Sequence, residues 1–152
     1  MRCESRGRGV IPVEPDPPVD PLTEDFPIRL TTGRRLDAYN TGAQTQGYNS
    51  PLWREESIDL HPDDARSLGV AAGERVRVSS RRGSLVAPVR LDPGLRPGLA
   101  FMTFHDASAV DTNVLTIDAT DPRSGTAEFK AAAIRVEPLP GDGPRRYEAA
   151  AR

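Results

Sequence analysis

Only one cysteine, Cys3, stands among the 152 residues. The chain therefore cannot close an internal disulfide or assemble a thiolate cluster. The same count excludes iron–sulfur ligation by this chain alone, because such clusters normally take four thiolates. No apolar run approaches the length of a membrane span. The opening MRCESRGRGV has basic residues with no apolar core behind them, so no secretory signal is read, nor a twin-arginine pair ahead of a hydrophobic stretch. An excess of either charge is also missing: 20 Lys and Arg against 22 Asp and Glu leave a net charge of −2. That balance does not argue for a nucleic-acid partner. The expectation is a cytoplasmic chain that contacts neither nucleic acid nor membrane.

What the chain does contain is organised in three parts. Residues 1–25 place Pro12, Pro15, Pro17, Pro18 and Pro21 among acidic residues, a composition that reads as an extended, disordered linker. Residues 26–138 read as one folded domain. Residues 139–152 carry proline, glycine and charge and read as a disordered tail.

Within the domain, the pattern predicts a strand at Phe26–Thr32 and a short one at Ser57–Leu60. A helix is expected to start at His61-Pro62-Asp63-Asp64, with proline and acids suited to its first turn, and to end at Gly69. Arg75–Ser80 alternates with Val76 and Val78 on one face. Arg81-Arg82-Gly83 turns the chain, and Leu85, Ala87, Val89 and Leu91 alternate on the way back, as in a hairpin. Leu99–Phe104 is a further strand, Asp111–Leu115 a helical turn and Ala131–Val136 a last strand. Short strands with turn signals and one or two small helices suggest a closed barrel or a sandwich, and the pattern alone does not separate them.

The run FPIRLTTGRRLDAYNTGAQTQGY at 26–48 carries the chemistry. A short apolar strand opens into Thr31-Thr32-Gly33-Arg34-Arg35. Glycine permits close backbone approach, arginines give bidentate charge-assisted bonds, and hydroxyls fill remaining acceptors, which together suit a phosphate-bearing ligand. The plainer reading is a solvated basic turn.

With Ile58-Asp59-Leu60-His61-Pro62-Asp63-Asp64-Ala65, Gly73 through Gly83, Arg96-Pro97-Gly98, Phe101 through His105, Asn113-Val114-Leu115-Thr116 and Glu128-Phe129-Lys130 following in order, the chain resembles the C-terminal molybdopterin-dinucleotide-binding domain of formate dehydrogenase-type molybdenum or tungsten oxidoreductases. The resemblance spans residues 26–138. It implies a mainly β fold, the six-stranded double-psi barrel, and a molybdopterin guanine dinucleotide cofactor whose metal this chain does not ligate. It implies cofactor contacts from Thr32, Gly33, Arg34 and Arg35, flanked by Tyr39 and Thr41. Ser80, Arg81 and Arg82 follow at the next strand end, then His105, Asn113, Leu115 and Thr116, and finally Phe129 and Lys130. Two positions depart from the family pattern: Ala38 stands where a histidine is common, and Ile117-Asp118 follow Thr116 where asparagine-proline is common.

The resemblance also implies where catalysis resides. The metal-ligating cysteine or selenocysteine, its histidine and arginine, and the iron–sulfur cluster belong to earlier domains. This chain is thus expected to lack catalytic residues and to serve a larger catalytic chain, as its last domain, a split subunit or a truncated fragment. Its own residues agree: no serine or cysteine sits in a nucleophile context, His61 reads as a helix cap, and no His/carboxylate cluster has metal-ligand spacing. His105 beside Asp106 could act as a general base. Two alternatives remain open. One is a small stand-alone double-psi enzyme, for which Gly83-Ser84 would be a self-cleavage context. The other is an adaptor barrel that grips a protein partner. Plainer readings stand beside the binding ones: a basic hairpin turn for Arg81-Arg82, core packing for Phe129 and Tyr39, solvation for Lys130, and a capped turn for Asn113–Thr116. Gln44 and Gln46 are further polar candidates, and Trp53 reads as a buried anchor or a cover.

Overall fold

The computed structural model describes residues 17–35, 55–120 and 125–139. Six strands appear where alternation or an apolar run predicts them: β1 Ile28–Gly33, β2 Ile58–Leu60, β3 Arg75–Ser79, β4 Ser84–Leu91, β5 Leu99–Thr103 and β6 Ala132–Pro138. They close into a barrel in the order β1-β5-β2-β4-β3-β6. Two pairings are parallel, β1 with β5 (Thr32 beside Met102) and β2 with β4 (Ile58 beside Val89); the other four are antiparallel. This is the mainly β, six-stranded barrel that was expected, with the sandwich excluded by closure.

Period-two alternation sends one face of each strand inward. Leu30, Ile58, Leu60, Val76, Val78, Ala87, Ala100, Met102 and Ile134 are fully buried and fill the interior. The expected inward run on β4 stops short, because Leu91 is exposed. β3 pairs β4 only as far as Pro88, so Leu91 lies on the rim beside Leu60.

The single α-helix of the described residues, α1 (Pro62–Leu68), has the predicted caps. His61 Nδ1 accepts from the Asp63 N–H at 3.1 Å, and Gly69 takes φ 69° at the C-terminal end. Asp64 accepts from the Gly98 N–H at 2.7 Å. α1 therefore covers the end of the barrel at which β2 and β4 finish and β1 and β5 begin. A 3-10 turn, Thr112–Leu115, has Asp111 as its cap and places Leu115 in the core.

The end of the proline-rich segment differs from the expected linker. Among residues 17–25, Asp20 is 2 % exposed. Its carboxylate accepts from the Ala133 N–H at 2.8 Å and pairs with Arg82 at 2.8 Å and with Arg81. Arg29 donates to the Asp20 carbonyl at 2.7 Å, Arg81 to that of Pro21 at 3.1 Å, and Arg135 to that of Asp25 at 2.7 Å. Arg81 also lies over the Phe26 ring, 4.9 Å from its centroid. Proline keeps this stretch out of a sheet, yet charge-assisted bonds to side chains do not need a regular backbone. Residues 17–25 are thus strapped onto the β3–β4 hairpin.

Burial of Asp20 pushes its carboxyl pKa up, but the Ala133 N–H and the Arg82 and Arg81 guanidiniums outweigh it and hold the pKa below the ordinary value. A carboxylate lowered in the folded state adds stability above its unfolded pKa, about 3.9, and loses it as pH falls through the lower folded value. Asp20→Asn keeps an acceptor for Ala133 but no charge. Urea unfolding should show a deficit of about 2 kcal/mol at pH 7, allowing for two half-exposed arginines that relax into water. The deficit should shrink toward zero below pH ~4 as the wild-type carboxyl protonates. Gly83 has a separate constraint: a Cβ there would meet the Val114 carbonyl oxygen at 3.0 Å. Gly83→Ala should push the Thr112–Leu115 turn off the hairpin, costing about 1–3 kcal/mol, and NMR should show shifts in both segments.

Candidate functional site

Strand direction alone gathers most of the expected site residues at one end of the barrel. β1 and β5 are parallel, so Gly33-Arg34-Arg35 and Phe104-His105 leave the barrel side by side, with Gly33 beside Thr103. β6 runs antiparallel to β1, with Ala132 beside Leu30, which brings Phe129-Lys130 to the same end. β3 runs antiparallel to β6, with Ser79 beside Arg135, and carries Ser80–Gly83 there too. The Thr112–Leu115 turn joins them through Arg82, whose Nη2 donates to the Leu115 carbonyl at 2.6 Å. This is the end opposite α1. Tyr39 and Thr41, with Gln44, Gln46 and Trp53, lie outside the described residues, as does Cys3.

The gathered residues differ in what they can offer. Thr32 is 3 % exposed and its hydroxyl donates to the Phe129 carbonyl at 3.0 Å. It pins β6's entry to β1. Gly33 lies so close to Phe101 that a Cβ would sit 2.9 Å from the ring edge. Arg34 is exposed, with no ion pair or hydrogen bond to another described residue. Lys130 is exposed too, and its ammonium sits 5.8 Å from the centroid of Phe129, itself edge-on to Phe104 at 6.0 Å. Asn113 is exposed within the capped turn, where the Thr116 hydroxyl donates to the Asn113 carbonyl at 2.9 Å. Leu115, by contrast, has a wholly buried side chain, and Arg82 already occupies its carbonyl. Ser80 accepts from the Arg82 N–H at 3.1 Å within the hairpin. Arg81 and Arg82 share the buried Asp20.

Arg35 turns inward. Its Nη2 donates to both carboxylate oxygens of Asp59 at 3.1 Å and to Ser57 Oγ at 3.1 Å. Its buried Nε has no hydrogen-bond partner among the described residues. Asp59 is fully buried and also receives Ser57 Oγ at 2.9 Å, Arg90 Nε at 2.7 Å and a second Arg90 nitrogen. The Arg35 backbone N–H donates to His105 Nε2 at 2.9 Å. His105 is 5 % exposed, and this bond places the neutral ring's proton on Nδ1. The lone pair a general base would use at Nε2 is thus occupied. The His105 and Asp106 N–H groups donate to buried Glu56 at 3.0 and 3.2 Å, and Thr103 donates to its other oxygen.

Sequence reading missed Asp20, Glu56 and Asp59 as parts of this end. Ile58-Asp59-Leu60 was visible as a motif, yet an acid between two aliphatics normally points to solvent. Its arginine partners lie 24 and 31 residues away, and no local spacing announces them. Among the described residues, no group of three or more His, Cys, Asp or Glu could hold a metal, and no helix is long and apolar enough to cross a membrane.

The donors at this end fit an anionic dinucleotide. Two exposed cations, Arg34 and Lys130, flank a glycine and a buried threonine at a strand exit, and the nearby carboxylates of Asp20 and Asp59 are already neutralised. Comparison with known proteins leads to the same ligand class. The alpha subunits of the F420-dependent formate dehydrogenases 2 and 1 from Methanococcus maripaludis are 40% and 34% identical, over 84% and 83% of this chain. The F420-dependent formate dehydrogenase subunit alpha of Methanocaldococcus jannaschii is 37% identical over 86%. The chain spans only about a fifth of the length of these relatives (19%, 18% and 20%). Among solved structures, acetylene hydratase from Pelobacter acetylenicus superposes with a TM-score of 0.64 at 19% identity, over 75% of this chain and 18% of that one, a likeness of fold. The model of the molydopterin dinucleotide binding domain matches residues 28–133, from the first residue of β1 into β6. The chain belongs to the molydopterin dinucleotide-binding domain family.

Proposed function

We propose that this chain holds molybdopterin guanine dinucleotide for a formate dehydrogenase-like oxidoreductase, acting as the cap domain over the cofactor. The observation that carries this reading is the convergence of Arg34 and Lys130, exposed and without ion-pair partners among the described residues, at one barrel end beside Gly33. Arg34 would hold a phosphate through charge-assisted bonds, Lys130 would add a second cation, and exposed Asn113 would offer an amide to a sugar or pterin edge. When bound, the cofactor supplies the redox chemistry through its metal. The chain's own task is to bind and orient.

The partner in this reading is the larger catalytic chain that carries the metal ligand and the iron–sulfur cluster, either continuous with this domain or as a separate subunit. The short share of each relative that is matched supports such a partner. The domain contributes no catalytic residue in this reading, and His105, with Nε2 already accepting a bond, supports that assignment. The site of action is the cytoplasm.

Guanosine diphosphate contains the guanosine and pyrophosphate of the cofactor and is the accessible probe. Arg34→Ala should weaken its binding by about 1.5–3 kcal/mol, roughly 10- to 150-fold. Lys130→Ala should weaken it less, because an ammonium gives one point contact rather than a fork. Titration calorimetry at low salt measures both. Wild-type affinity in both variants would point to an adaptor barrel instead.

A further inference from the structure

Arg34 and Arg35 are neighbours in sequence, and a phosphate-binding reading treats them as a pair. Their surroundings separate them. Arg34 faces solvent, whereas the Arg35 side chain is 11% exposed and lies on Asp59, whose own side chain is 1% exposed. Nη2 of Arg35 bridges Asp59 and Ser57, and Nη1 reaches toward the Glu55 carbonyl at 3.5 Å. A guanidinium held this way cannot swing outward without leaving a buried carboxylate with one partner fewer, a costly state. Its backbone N–H meanwhile holds His105 Nε2. One residue thus joins three chain segments at the site: the exit of β1, the entry of β2 through Ser57 and Asp59, and the exit of β5 through His105.

We infer that Arg35 is a positioning residue: its guanidinium, locked on buried Asp59, fixes the backbone after β1, so that Arg34 is presented to the anionic ligand and His105 is held in its Nδ1-protonated form. The assignment of Arg34 as the anion ligand rests on the function proposed above; the hold on His105 does not. Arg90, on the far side of the same carboxylate, completes the clamp. Ser57 adds a neutral hydroxyl that donates to Asp59 and accepts from Arg35, so it orients both partners without altering the charge.

The test uses the full chain labelled with 15N-histidine, with guanosine diphosphate as the probe. In the wild type, His105 should show a protonated Nδ1 and an unprotonated Nε2. Arg34→Gln should leave that spectrum unchanged while weakening nucleotide binding at least tenfold. Arg35→Gln keeps the backbone N–H but removes the guanidinium. It should move His105 toward a mixture of tautomers and also weaken the nucleotide. Arg35→Lys keeps the charge and guards against a variant that does not fold. Its single nitrogen, on a shorter stem, cannot reproduce the Nη2 contacts to Asp59 and Ser57 together with the Nη1 contact to the Glu55 carbonyl, so a smaller shift of the same sign is expected. An unchanged His105 spectrum in Arg35→Gln or Arg35→Lys would overturn the positioning role, and with a tenfold loss of nucleotide it would make Arg35 a direct ligand. If the wild type binds no guanosine diphosphate, the function proposed for the chain fails, while the His105 spectra still decide the role of Arg35.

Discussion

A single buried carboxylate sets the architecture of the site end. Asp59 lies at the centre of β2, a three-residue strand whose residues are all buried. Ile58 and Leu60 fill the barrel, so Asp59 points out through the wall. An unpaired carboxylate in that place would be untenable. The fold meets the requirement with Arg35 from the exit of β1 and Arg90 from β4. With Asp92 as a second acid on Arg90 at 3.5 Å, the two guanidiniums and two carboxylates balance in charge, and Arg35 ties the β1 exit to a strand it does not pair with. The geometry of the Gly33–Arg35 turn, and through it the environment of His105, follows from that bond.

A second carboxylate does comparable work across the barrel. Asp20 draws Arg81 and Arg82 onto the proline-rich segment and takes the free N–H of Ala133 on β6. The two clusters occupy four of the chain's arginines. Arg35, Arg81, Arg82 and Arg90 serve the protein's own carboxylates, whereas Arg34 and Lys130 have no such partner among the described residues. If this end takes the ligand as proposed, a few unpaired cations beside internally paired arginines would suit a particular anion better than polyanions in general.

Much of the barrel was legible in the sequence, because period two is a local signal. Val76 and Val78 alternate and are both buried; Gly69 ends its helix in a left-handed conformation; Asp111 caps the turn Thr112–Leu115. Leu91 misled because alternation does not reveal where a neighbouring strand stops. The family motifs named a set of candidate residues, and strand direction brings most of their described members to one barrel end. Their division of labour was not legible. Whether an arginine faces a ligand or a buried acid depends on a partner dozens of residues away, as with Arg35 and Asp59, or Arg81 and Asp20, 61 residues apart. The proline-rich segment misled for the same reason: composition reports the lack of regular structure, not the lack of contacts.

The central claim is that the barrel end opposite α1 receives the dinucleotide. Mapping amide shift changes in the 15N-labelled chain on addition of guanosine diphosphate tests it most directly. The account predicts that changes cluster at Gly33–Arg35, Phe104–His105, Asn113–Thr116 and Phe129–Lys130, with Gly69–Gly73 and Asp92–Gly98 at the α1 end unaffected. Saturable changes centred on Asp92–Gly98, or none at millimolar nucleotide, would contradict it.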